Sequence, residues 1–220
     1  MTRTTRPTRT KGRAYHHGDL RAALLRVGLE LVAERGITGF TLREVARRAG
    51  VSHAAPYHHF ADRGALVSAI VAESYTALAA ALEDAAAQAG DDPLERIQAM
   101  GEGYIRFALA SPDRYPLMFR SELAGDPFGA DSVNQAGAAA FGALVSAVEI
   151  AHRAGRFADD MDVGTVATAC WATVHGTSSL LLDGALGIRP DQADRAQQLA
   201  RRLIGITLRG LGGPRERTTA

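Results

Sequence analysis

The stretch TLREVARRAGVSHAAPYHHF, residues 41–60, decides the fold because it reads as two short helices joined by a tight turn. Thr41 and Glu44 make a T-x-x-E capping box, and Leu42, Val45, Ala46 and Ala49 fall on one face of the helix that follows. Gly50 ends that helix, and Val51 can plug the angle between it and the next element. Ser52 is expected to cap a third helix. With that cap, Pro56 forfeits only the amide bond to the Ser52 carbonyl, although its ring also disfavours helical geometry at Ala55. Pro56 and Phe60 are four apart and share the inward face, leaving His53, Ala54, Ala55, Tyr57 and His58 to face outward. Whether the first turn stays helical up to Ala55 is open at this stage.

Working outward, Leu20, Leu24, Val27 and Leu31 mark an amphipathic helix from an Asp19 N-cap to a Gly36 stop. Asp62 is placed to cap a fourth helix that runs to the break at GDDP. Beyond Pro93 the periodicity gives helices at about 93–110, 112–120, 132–154, 162–185 and 190–210, with no convincing alternating strand. The expected fold is therefore all-α with about nine helices. Its expected domains are a disordered basic arm at 1–14, a helix-turn-helix domain at 15–62, a larger helical domain at 63–212 and a disordered tail at 213–220.

Composition narrows the function. The net charge of +1 conceals a basic head, with 12 Lys/Arg against 5 Asp/Glu in residues 1–63, joined to an acidic body with 13 against 19. Positive charge gathered on a small domain is what a phosphate backbone or an anionic membrane selects for. No run of about 18 uncharged apolar residues occurs and no signal-peptide pattern opens the chain, so a cytoplasmic protein with no membrane association is expected. The single cysteine, Cys170, excludes an intrachain disulfide and is read as packing. No metal site is expected, because His58 and His59 lie about 100° apart on a helix and no Cys or carboxylate completes a tetrahedral set. No cofactor is implied.

The run GFTLREVARRAGVSHAAPYHHFADRGALVSAIV behind an amphipathic helix resembles the N-terminal domain of TetR-type transcriptional regulators. The likeness rests on Thr41 to Ala46, the Gly50-Val51-Ser52 turn and Tyr57 to Phe60, and spans about residues 15–80. More weakly, YHHGDLR, SPDRYPLMF and WATVHGTSSLLLDG resemble the subgroup whose C-terminal domain is named for a Trp, a His and a Gly, here Trp171, His175 and Gly176. The resemblance implies a homodimer joined through its last two helices, an operator in double-stranded DNA and a small-molecule effector of unspecified identity. It assigns Tyr57 and His59 to phosphate contacts, and it puts Arg63 at a position that is often Lys in the family, beside a helix N-terminus. Arg43 can reach a base edge or a phosphate, and Thr41 can cap its helix and also donate to a phosphate. His53, placed by resemblance, would share base reading with Arg43, while the small side chains of Ser52, Ala54 and Ala55 fit close approach to a major groove. His58 has no settled role, and Arg47 and Arg48 read as general basic lining. His16 and His17 either lie along DNA with the basic arm or simply face solvent.

In the body, Met100, Tyr104, Phe107, Met118, Phe119, Phe141, Trp171 and His175 are candidates for an effector cavity, with ordinary core packing as the alternative for each. His175 is singled out because a polar group in an apolar helix needs a partner, whether a ligand or a buried carbonyl. The function expected is a ligand-responsive DNA-binding regulator, usually a repressor in this family. A sequence-indifferent DNA-packing protein is the main alternative. An enzyme is disfavoured because no Ser-His-Asp set, phosphate-cradling Gly loop or paired-carboxylate motif is recognisable.

Overall fold

The computed structural model describes residues 17–120, 130–158, 160–189 and 192–212. Among them the chain forms eight α-helices and one 3-10 turn, with no strand. In order these are α1 (His17–Arg35), α2 (Leu42–Ala49), the 3-10 turn (Ala55–His58), α3 (Arg63–Ala87), α4 (Pro93–Ala110), α5 (Tyr115–Met118), α6 (Ala130–Arg153), α7 (Val163–Leu182) and α8 (Ala193–Leu211). The expected arm, the tail and His16 lie outside the described residues. The chain divides into two compact units, Met1–Arg63 and Gly64–Ala220.

In the first unit α1 packs on α2, and α2 on the 3-10 turn. Helix α1 already runs at His17, so Asp19 lies inside it rather than at its cap. It stops where Gly36, at φ 76°, donates its N–H to the Val32 carbonyl at 2.8 Å. Leu24, Val27 and Leu31 of α1 and Leu42, Val45 and Ala46 of α2 are at most 3% exposed, which is the burial their spacing requires. Thr41 has an extended backbone, and its hydroxyl accepts from the Glu44 N–H at 3.2 Å. The expected capping box is altered on its other side, because the Glu44 carboxylate is taken by Arg35 at 2.7 Å. A second pair crosses the same two helices: Arg48 donates two bonds to Glu34, at 2.6 and 2.8 Å. Arg48 is therefore spent within the fold and is not the general basic lining expected of it.

The end of α2 is closed by Gly50 in the left-handed region, at φ 71°. Its N–H and that of Val51 return to the Ala46 carbonyl, so two amides cap the last turn. The expected third α-helix capped by Ser52 does not form. Pro56 has no N–H to give the Ser52 carbonyl, and Ala55 bonds that carbonyl instead, one residue tighter, at 3.0 Å. Tyr57 to Ala54 and His59 to Pro56 repeat the same short spacing. The element begins after Ala54, so among the described residues a tight turn stands where the third helix was expected.

The second unit is built around α4, which packs on α6, α7 and α8, while α7 also packs on α6 and α8. Gly101 of α4 allows the close approach to α8, since a Cβ there would stand 2.7 Å from the Ile204 methyl. The helix expected at 112–120 shrinks to Tyr115–Met118. By length and composition α3 and residues 131–153 of α6 are apolar enough to cross a bilayer. In α3 that apolar content goes into burial, with Leu66, Val67, Ile70, Val71, Leu78 and Leu82 all in the interior.

A paired glycine test follows. A Cβ at Gly50 or at Gly142 of α6 would touch nothing within 4 Å, but only Gly50 has a positive φ. In denaturant unfolding, Gly50→Ala is expected to cost about 1–2 kcal/mol through left-handed strain. Gly142→Ala should instead stabilise by about 0.5–1 kcal/mol, as Ala does in a helix interior.

Candidate nucleic-acid interface and ligand cavity

The outward surface of the first unit is set by what the turn buries. Pro56 and Phe60 are buried, and Phe60 is covered by the Arg21 guanidinium 5.8 Å from its ring centre. Anchoring the turn from beneath leaves Ser52, His53, Ala54, Tyr57 and His58 exposed, with Tyr57 at 52%. Ala55 and His59 are half-buried, and the His59 ring leans on Phe60 at 6.2 Å. On α2, Thr41, Arg43 and Arg47 are exposed. Polar and basic side chains thus stand on a short, firmly seated segment.

Arg63 opens α3, at a helix N-terminus as its sequence position implied. It is half-buried, and one guanidinium nitrogen donates to the carbonyls of Thr38 and Phe40, at 2.9 and 3.4 Å. This bond fastens the loop between α1 and α2 and occupies part of the charge expected to meet a phosphate. The remaining guanidinium donors keep the fork geometry that suits an anion.

The second unit holds a partly open cavity of about 510 Å³. Met100, Tyr104, Phe119, Phe141 and Trp171 line it, as five of the eight residues singled out in the sequence. The other three are not in its wall. Phe107 packs half-buried against the core, Met118 is buried and offers its carbonyl to the Tyr75 hydroxyl at 2.9 Å, and His175 stands behind the aromatic lining. Sequence reasoning missed Tyr75, Leu78 and Leu82, which α3 contributes to the wall, and it took Cys170 for packing alone. Cys170 is buried and also lines the cavity, where burial pushes its thiol up to about 11.

His175 finds its partners in two tyrosines. Its Nδ1 is 2.8 Å from the Tyr115 hydroxyl and 3.2 Å from that of Tyr104, and the two hydroxyls are 3.1 Å apart. Trp171 stacks on the His175 ring at 5.4 Å and 28°, and Phe119 meets it edge-on at 4.3 Å. Burial lowers the His175 pKa, so the imidazole is held neutral. Burial also raises both tyrosine hydroxyls, so they remain protonated. The partners that Nδ1 of His175 finds are tyrosine hydroxyls rather than a carbonyl. Tyr115, overlooked in the sequence, supplies the shortest bond; the hint was a lone histidine in an apolar helix with tyrosines elsewhere in the body.

Both units match described families. Residues 24–70 match a sequence profile described as bacterial regulatory proteins of the tetR family, and residues 97–203 match one described as a tetracyclin repressor-like C-terminal domain. The second match contains Trp171, His175 and Gly176. The HTH-type transcriptional regulator BetI of Stenotrophomonas maltophilia is 30% identical over 83 residues, 38% of this chain and 42% of that protein. The alignment thus spans less than half the length of that relative. A structure of a protein of unknown function from Rhodococcus sp. RHA1 is 34% identical, with a TM-score of 0.77 over 91% of this chain and 99% of that one. A tetR-family regulatory protein from Rhodococcus RHA1, 19% identical, shares the fold at a TM-score of 0.70 over 88% and 97% of the two chains. Two profiles in the expected order, on an all-helical chain with a capped helix and tight turn in the first unit, lead to one conclusion: the chain belongs to the TetR family of transcriptional regulators.

Proposed function

We propose that this regulator acts as a homodimer on a palindromic operator, most often as a repressor in the cytoplasm, and that a small molecule in the body cavity releases it. The observation that carries the reading is the seating of residues 52–58: Pro56 and Phe60 are buried beneath, while His53, Ala54, Tyr57 and His58 face out. In this reading Arg43 and His53 contact base edges, the latter through a single ring donor or acceptor. Ser52, Ala54 and Ala55 keep the backbone close to the groove. Thr41, Tyr57, His59 and the free side of Arg63 hold phosphates, fixing register without reading sequence.

Dimerisation is assigned to α7 and α8. A hydroxyl bond at 3.0 Å between Thr173 and Thr207 ties the two helices, and Leu180 and Ile206 are 46% and 59% exposed on them. Two copies would bring two turns to successive major grooves, roughly 34–36 Å apart. Coupling is assigned to α3. That helix begins at Arg63, bonded to the loop before α2, and its Tyr75, Leu78 and Leu82 reach the cavity wall. An effector shifts DNA binding only to the extent that it binds the two spacings of the heads with different affinity.

The test is a gel-shift on the intergenic DNA upstream of the protein's own gene, against random DNA of equal length. Preferential binding is expected, and equal binding to both, governed by salt alone, would favour a DNA-packing role and sink the proposal. In a selected-site experiment, His53→Ala is expected to relax preference at one symmetric base position by about 1–3 kcal/mol. An unchanged motif would remove His53 from base reading. Tyr57→Ala should weaken specific and random DNA to a similar degree, the mark of a phosphate contact.

A further inference from the structure

The cavity wall is chemically one-sided. Among the described residues, none of the eighteen that line it carries a formal charge. A carboxylate or an ammonium would therefore lose its hydration with no opposite charge among these residues to replace it. The Cys170 thiol, held protonated at a pKa of about 11, adds no anion.

The aromatic lining does not make up for this by caging a cation. Trp171 spends a face on His175 and meets Phe141 edge-on at 6.1 Å. Phe119 is engaged by Tyr75, Tyr115 and His175. The rings are committed to one another.

Among the polar groups of the described wall, which include the Thr168 hydroxyl and the Trp171 indole N–H, Tyr104 is the one joined to the hydrogen-bonded chain around His175. Tyr104 lines the cavity, and its hydroxyl belongs to the chain that runs through Tyr115 to His175. With the proton on Nε2, Tyr115 donates to Nδ1 and Tyr104 donates to Tyr115, so the Tyr104 oxygen, which also takes a hydrogen bond from Trp171, keeps a second lone pair to accept from a ligand hydroxyl. With the proton on Nδ1, that N–H donates to Tyr115, Tyr115 donates to Tyr104, and the Tyr104 O–H is free for a ligand carbonyl. The chain reverses polarity by changing tautomer, with no net charge in either state. Tyr75 offers less, because its O–H is given to the Met118 carbonyl.

We propose, on the reading that this is the effector cavity, that it takes an uncharged, largely apolar molecule bearing one hydroxyl or carbonyl oxygen against Tyr104. At roughly the 30 Å³ that a water molecule occupies in the liquid, the space holds about 17 non-hydrogen atoms.

The chain's one tryptophan, Trp171, stands in the wall and reports occupancy by its emission, with calorimetry supplying Kd. The full-length protein is titrated at pH 7.5 with biphenyl, 4-phenylphenol, biphenyl-4-carboxylate and 4-phenylbenzylammonium. The phenol is expected to bind at least tenfold more tightly than either ion and severalfold more tightly than biphenyl. In Tyr104→Phe the advantage of the phenol over biphenyl should vanish while biphenyl binding persists, which separates a lost hydrogen bond from a lost fold. Ala138→Trp, at an exposed lining position on α6, should abolish binding of every probe without lowering the unfolding temperature. Either ion matching the phenol, or no probe binding at all, overturns the proposal. If the phenol binds as expected yet never alters the gel-shift, the regulatory reading fails and the ligand class stands.

Discussion

Gly50 is the residue on which the arrangement of the head depends, because its left-handed backbone turns the chain out of α2 and sends it into the exposed segment. Two amides cap α2 at that corner, and the next residues are immediately committed to the tight turn over Pro56. Interior burial holds the corner in place. The ion pairs Glu34–Arg48 and Arg35–Glu44 are open to solvent, which screens them to a small contribution. Burying a side chain such as Leu24, Val45 or Phe60 contributes about 1.5–3 kcal/mol. Apolar packing therefore holds α1, α2 and the turn together, while the crossed ion pairs bias their angle.

The body solves a different problem. A histidine set among apolar helices costs about 1–3 kcal/mol if left without partners. Tyr104 and Tyr115 meet that cost from two other elements, α4 and α5, and so fix how those elements face α7. The same chain of hydroxyls supplies a polar point in an otherwise apolar cavity wall. On the proposed reading, one network serves both packing and recognition.

Much of this was legible in the sequence where the cause is local. The apolar spacing of α1 and α2, the Thr41 cap and the Gly36 and Gly50 stops each depend on residues within one or two helical turns. The inward placement of Pro56 and Phe60 was legible for the same reason. The misreadings involve either competition or distance. Ser52 reads as a cap, yet the missing Pro56 amide favours the tighter turn; the partners of Arg48 and Arg63, Glu34 and the Thr38 carbonyl, lie too far along the chain for the sequence to name. Tyr115 lies 60 positions from His175, and no periodicity joins the two. Helix periodicity can place a residue on a buried face but cannot say which distant polar group it meets there.

In the proposed function, residues 51–60, seated by Gly50 and Pro56, are the surface that meets DNA. Hydrogen–deuterium exchange on the full chain, with and without a duplex selected for tight binding, tests it most directly. The account predicts that DNA slows exchange at the amides of residues 51–59 and in the loop 36–40 fastened by Arg63, and leaves the loop at Gly184–Gly187 unchanged. Protection confined to α7 and α8, or none in residues 51–59 at saturating duplex, would contradict it.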